Sequence, residues 1–138
     1  MFQRMLVPVD LTQKNAHAVE TARDLAAESG GMVTLLHVIE TLDLPFEELE
    51  GFYARLEEKA RRAMEEMAAP LQEAGLSFAR RVSYGRRAEE IVDFAVEEDS
   101  DLIILSSHRI DLENPGSSWT TLSYKVAILA QCPVLLVK

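Results

Sequence analysis

The chain has 138 residues, 48% of them hydrophobic and 27% charged, with a net charge of -9 from 14 basic and 23 acidic side chains. That length predicts one domain spanning 1–138, able to bury roughly two-thirds of its unfolded surface without cross-links. The acidic balance argues against nucleic acid or an anionic membrane as partner, because phosphate contacts need clustered Lys and Arg, and no apolar run approaches the ~20 residues of a membrane span.

In chain order, the first residues lack the long apolar region and cleavage site of a signal peptide, which predicts a cytoplasmic location. Met5-Leu6-Val7-Pro8-Val9 is a short apolar run ending in Asp10. Such a run reads as a strand covered on both faces, as in parallel sheets, with Pro8 placed near its end. Thr12 is positioned to cap the helix that follows. Ala18, Val19, Ala22, Leu25, Ala26 and Ser29 repeat at helical spacing until Gly30-Gly31, which supplies a left-handed cap. Met32 to Ile39 is the second strand, with His37 as a packed histidine holding one hydrogen bond rather than a catalytic group.

Asp43 and Pro45 introduce a long helix, with Glu47 and Glu48 in its first turn, where the helix dipole favours acids. Leu49, Phe52, Tyr53, Leu56, Ala60, Ala63, Met67 and Leu71 form its apolar stripe, and Pro70 kinks or ends it. Leu76 to Ser83 is a third strand. Arg80 and Arg81 place it at a sheet edge, where charge discourages further pairing. Ala88, Ile91, Val92, Ala95 and Val96 mark the next helix; acids from Glu97 to Asp101 oppose its dipole and predict fraying there. Leu102 to Leu105 is a fourth strand. A polar turn and a loop holding Asn114-Pro115-Gly116 lead to a helix near Thr120, with Trp119, Leu122, Val126, Leu129 and Ala130 on one stripe. The lone Cys132 reads as a small packing residue, and Pro133 to Val137 is the last strand.

Five strands and four helices alternate. Alternation predicts right-handed crossovers and an open parallel sheet with helices on both faces, a Rossmann-like α/β fold. Ligands of such sheets sit at the carboxyl ends of the strands, where strand order reverses. With a central first strand, the reversal falls between strands one and four. That places Asp10, Ser106 and the loop to Thr121 around one crevice.

Several segments, taken together, carry a resemblance. They are Leu6-Val7-Pro8-Val9-Asp10, Leu36-His37-Val38, Gly85 to Ile91, Asp101-Leu102-Ile103-Ile104, Ser107-His108 and Cys132 to Val137. In this order and spacing they resemble the universal stress protein family over essentially the whole chain. The resemblance implies the adenine nucleotide alpha hydrolase-like fold with strand order 3-2-1-4-5. It also implies a homodimer paired through the last strands, here Val134 to Val137, with a protein partner that the sequence does not name.

Many members of that family hold ATP and Mg²⁺ through a loop Gly-x-x-Gly-x9-Gly-Ser/Thr, whose backbone N–H groups close on phosphates. Here Ser106, Arg109 and Thr120 stand where the three glycines would be, and Thr121 stands at the hydroxyl position. The alignments from the two sides differ by one residue, so the loop carries an insertion. The resemblance matches Asp10 to the acid near ribose, phosphate or metal, and Val9 and Val38 to positions that line adenine. The crevice candidates are therefore Pro8, Val9, Asp10, Val38, Ser106, His108, Arg109, Thr120 and Thr121. Three of these also have a plainer reading: Asp10 as a cap, Val9 and Val38 as core. Arg109, His108 and Lys125 offer side-chain anion contacts instead of glycine amides.

Three functions follow for comparison. The first is a dimeric, non-catalytic stress-response module with impaired or altered nucleotide binding and no firm cofactor. The second is an ATP-binding switch holding ATP between strands one and four. The third is a weak ATPase, for which the sequence supplies no Walker lysine and no nucleophile–base pair. A receiver domain is excluded, since Leu11 rather than a second acid follows Asp10 and no aspartate follows strand three.

Overall fold

The computed structural model describes residues 1–41, 45–107, 113 and 121–138. Its strands are β1 (Arg4–Pro8), β2 (Met32–Glu40), β3 (Phe78–Gly85), β4 (Leu102–Ser106) and β5 (Val134–Val137). Its helices are α1 (Ala16–Ser29), α2 (Phe46–Met67), α3 (Ala69–Glu73), α4 (Arg87–Glu97) and α5 (Leu122–Leu129), with a 3₁₀ turn at Gln13–Asn15. The strands form one parallel sheet of order β3-β2-β1-β4-β5, the order the sequence resemblance implies.

Period-two alternation divides the buried side chains between two cores. Met5, Val7, Leu35, Leu102 and Ile104 face α1 and the α2–α3 pair, meeting Val19, Ala22, Met64 and Leu71. Leu6, Leu36, Ile103 and Leu105 face the opposite side, against Ile91, Ala95 and Val126 of α4 and α5. Both faces of β1 and β4 are therefore covered, as their unbroken apolar runs predict.

Several local expectations change. The long helix is two: Pro70 has no N–H to continue the ladder, and the chain breaks at Ala68 before α3. The described helices thus number five rather than four. Phe52, Val96 and Leu129, assigned to core stripes, are 43%, 50% and 49% exposed. Thr12 makes no side-chain cap. Its hydroxyl instead donates to Asp10 Oδ1 at 2.6 Å, and its N–H donates to the same oxygen at 2.9 Å. The third strand starts and ends two residues later than expected, at Phe78 and Gly85. β5 begins at Val134, with the Pro133 carbonyl accepting from Ile103 N–H at 3.0 Å.

Helix ends follow their chemistry. Gly30 closes α1 at φ 73, donating to the Ala26 carbonyl. Gly31 has no room for a side chain, since a Cβ there would stand 2.6 Å from the Phe2 carbonyl oxygen. The end of α4 does not open as its acids suggest. Asp99, at φ 53, sits in the left-handed position usually held by glycine. Asp99 N–H donates to Val96 O at 3.2 Å and Ser100 N–H to Ala95 O at 2.8 Å, which satisfies the last carbonyls. Asp43, read as a helix-entry residue, lies outside the described residues.

β3 and β5 are the two sheet edges. Arg80 and Arg81 are exposed on β3, and Leu135 and Leu136 are exposed on β5.

Candidate functional site

The carboxyl ends of β1 and β4 are tied together by one buried polar side chain. Asn15 is 3% exposed. Its Oδ1 accepts from Asp10 N–H at 2.9 Å, and its Nδ2 donates to Ser106 Oγ at 3.2 Å. Asn15 occupies the residue before α1, yet makes no helix-capping bond. Its amide is committed across the strand reversal instead.

Around this tie lies a crevice of about 60 Å³ lined by Pro8, Val9, Asp10, Asn15, Leu36, Val38, Arg87, Ile91, Leu105, Ser106 and Leu122. Five sequence candidates therefore meet there: Pro8, Val9, Asp10, Val38 and Ser106. Val9 and Val38 belong to opposite cores. They line one crevice because both lie near strand ends. Asp10 is exposed, with Oδ1 engaged by Thr12. Among the described residues, its Oδ2 has no partner. Leu11 bridges Asp10 and Thr12 at φ 69, a left-handed conformation that this local turn imposes on a bulky residue.

Ser106 is engaged on two sides. Its hydroxyl accepts from Asn15, and its carbonyl accepts from Ser123 Oγ at 3.3 Å. Thr121 is not a lining residue of the crevice; it caps α5, its Oγ1 accepting from Tyr124 N–H at a long 3.4 Å. Tyr124 is half exposed and does not line the crevice either. His108, Arg109, Thr120 and Trp119 lie outside the described residues.

Sequence reasoning missed Asn15 and Arg87. Asn15 reads as one more polar residue before a helix. Its only signal is its position five residues past a strand-ending acid. Arg87 lies in the Gly85 to Ile91 segment of the resemblance and is not among the crevice candidates. It opens α4 and reaches the crevice, with its Nε 3.7 Å from Glu40 Oε1.

His37, half-buried, has Nδ1 2.9 Å from the Val9 carbonyl. A carbonyl can only accept, so Nδ1 carries the proton of that bond, and the histidine braces β2 against the end of β1. Cys132 packs under α4, where burial first, and the Asp101 charge second, push its thiol up and away from the thiolate. Among the described residues, no three His, Cys, Asp or Glu side chains converge on a common point. No described helix is long and apolar enough to cross a membrane. A larger hollow of about 230 Å³ lies on the other face, between the 3₁₀ turn and the α2–α3 junction. Its lining mixes the polar Thr12, Gln13, Glu20 and Glu66 with the apolar Leu11, Val19 and Met67.

Comparison with known proteins places this geometry. The sequence model of the universal stress protein family matches residues 1–138. Universal stress protein YxiE of Bacillus subtilis (strain 168) is 27% identical over 149 residues, covering 100% of this chain and 100% of YxiE. The solved structure of MJ0577, a protein of Methanocaldococcus jannaschii, superposes with a TM-score of 0.83 at 28% identity, covering 100% of this chain and 96% of that one. A universal stress protein from Archaeoglobus fulgidus, solved in complex with dAMP, superposes with a TM-score of 0.73 at 17% identity over 99% of this chain and 98% of that one. At that identity the likeness shows the fold alone.

Proposed function

The chain belongs to the universal stress protein family, and from that premise we propose that it is a non-catalytic, dimeric regulatory module with altered nucleotide binding. The base-side walls of the crevice are kept, and the grip on a triphosphate is lost. The observation that carries this reading is Ser106. It stands where the family's first phosphate-loop glycine would be, and both its hydroxyl and its carbonyl are engaged inside the protein. A glycine there leaves backbone free to close on phosphate; a tethered serine does not.

The solved relative with dAMP supports a mononucleotide as the ligand class. Apolar walls with a few polar groups at one end suit a base and sugar. Pro8, Val9, Asp10, Val38 and Ser106 form the described part of the binding surface in this proposal, with Thr121 at its margin. Magnesium has only Asp10 to approach among these residues. The dimer forms through β5 and the outer face of α5, where Ile128 is 67% exposed beside Leu129, Leu135 and Leu136. Its setting is the cytoplasm, and its output is contact with another protein rather than chemistry.

A second reading, the ATP switch, draws support from Asp10 Oδ2, which has no partner among the described residues. Equilibrium dialysis with AMP, and with ATP plus Mg²⁺, separates the two. The proposal expects AMP to bind at least as well as ATP, with no phosphate released. Stoichiometric ATP recovered from the purified, denatured protein, or a strong Mg²⁺-dependent preference for ATP, would establish the switch instead.

A further inference from the structure

β3 is an edge of the sheet, eight residues long. Val33 N–H of β2 donates to the Ser77 carbonyl just before β3. Ladder groups alternate along a strand, so Phe78, Arg80 and Val82 turn their own N–H and C=O away from β2, along the open edge. Arg81 reaches back and donates to the outward Arg80 carbonyl at 3.1 Å, the place that the N–H of an added strand would take.

Two hydrogen bonds fix the faces of the strand. Tyr84 bonds Glu57 of α2, so Val82 and Arg80, two and four residues earlier, share the α2 face. Ser83 bonds Glu90 of α4, so Arg81 stands on the opposite face. Arg80 and Val82 line a hollow of about 290 Å³ against α2, with the buried Met64 beside them. Of the arginines around it, Arg61 and Arg62 are already paired with Glu57 and Glu58 at 2.7 and 2.6 Å. Arg80 is exposed, and its guanidinium has no partner among the described residues. Glu65 belongs to the helix wall of the hollow, which directs an arriving acid to the strand side, at Arg80.

We propose that this edge accepts a strand of another protein that carries two consecutive acidic residues with an apolar residue next to them. Consecutive side chains of an added strand point to opposite faces. One acid therefore meets Arg80, the other meets Arg81, and the apolar residue covers Val82 and Met64. Main-chain bonds along the edge supply affinity, and the arginines supply selection. A second copy of β3 would set arginine against arginine, so the edge refuses itself and takes an acidic strand. This inference gives a place to the protein contact proposed above, and rests on that reading.

The probe is a fluorescein-labelled, amidated peptide, Thr-Val-Glu-Glu-Val-Thr, titrated into the intact protein and followed by fluorescence anisotropy. It reads the same in both directions, so it presumes no strand polarity. Its Gln-Gln counterpart should bind about tenfold more weakly. Arg80→Ala and Arg81→Ala, both at exposed positions, should each weaken the Glu-Glu peptide about threefold to fivefold, the scale of an exposed charge pair. Methylating alternate peptide nitrogens should abolish binding in one frame and spare it in the other, as a strand ladder requires. Equal binding of the Gln-Gln peptide, the same effect from both methylated frames, or no binding at millimolar concentration overturns the inference. Hydrogen-exchange protection of the Arg80 and Val82 amides that rises with protein concentration alone would assign the edge to a second copy, and overturns it too. No β3 residue lines the strand-end crevice, so the dialysis with AMP and ATP tests the nucleotide reading separately.

Discussion

Asn15 Nδ2 donates to Ser106 Oγ at 3.2 Å, joining residues 91 positions apart. The same side chain accepts from Asp10 N–H, so one amide closes the gap between the ends of β1 and β4. Asn15→Ala leaves Asp10 N–H and Ser106 Oγ without this partner at a part-buried junction. The expected cost is about 1–3 kcal/mol, read as a thermal midpoint lowered by several degrees. An unchanged midpoint would mean that the strand ends hold their positions without the amide.

Tyr84 on β3 donates to Glu57 Oε2 of α2 at 2.6 Å, and Arg61 bonds the other carboxylate oxygen at 2.7 Å. Burial, followed by the bond to Glu57 and its charge, pushes the Tyr84 phenol up from 10.0 to about 12. The bonds from Tyr84 and then Arg61 hold the Glu57 carboxyl below its usual 4.5. The signs differ. A raised tyrosine gives stability that is complete below pH 10 and lost as pH rises toward 12. A lowered glutamate gives stability present above pH 4.5 and lost as pH falls through its folded value. Tyr84→Phe should flatten both limbs of a plot of urea midpoint against pH. The phenolate absorbance removed by the substitution should titrate near 12; a tyrosine lost near 10 would contradict the coupling.

Asp99 holds a left-handed backbone at the end of α4, at φ 53. A non-glycine residue pays roughly 1 kcal/mol there, and an acid at a helix C-terminus adds a smaller unfavourable term. Asp99→Gly is expected to stabilise by about 1 kcal/mol in chemical denaturation. Gly30→Ala should do the reverse by a similar amount. Gly30 has φ 73, and the space that an added methyl group would fill is open, so only the backbone preference changes. If both variants shift the same way, the conformational explanation fails.

Ile128 and Leu136 lie exposed on the outer face of α5 and on β5. If two copies pair there, Ile128→Asp or Leu136→Lys should give a species of half the mass in sedimentation, with melting only slightly altered when measured at low concentration. A wild-type chain that sediments as a monomer would refute the pairing directly.

Much of the fold was legible because continuous apolar strands and helical stripes leave few alternatives. Leu6-Val7 and Ile103-Ile104 announce strands buried on both faces, and Arg80-Arg81 announces an edge. The misreadings have physical causes. Phe52 and Leu129 repeat at helical spacing like core residues, but periodicity does not tell a core-facing stripe from an apolar surface. Thr12 has the right chemistry for a cap, yet Asp10 two residues earlier bonds it first. At the crevice, Asp10 and Val38 were legible from topology and resemblance together. Asn15 and Arg87 were not, because their partners are distant in sequence: Ser106 for the first and Glu40 for the second.

The two edges of the sheet have unlike chemistry, with arginines along β3 and leucines along β5. This limits how far strands can be added. A copy joined through its leucine edge presents only its charged edge outward, and two such edges repel. Pairing of that kind is self-complementary and closes on itself. If copies pair through β5, the sheet can double once and then stops, and its arginine edge guards against a fibre.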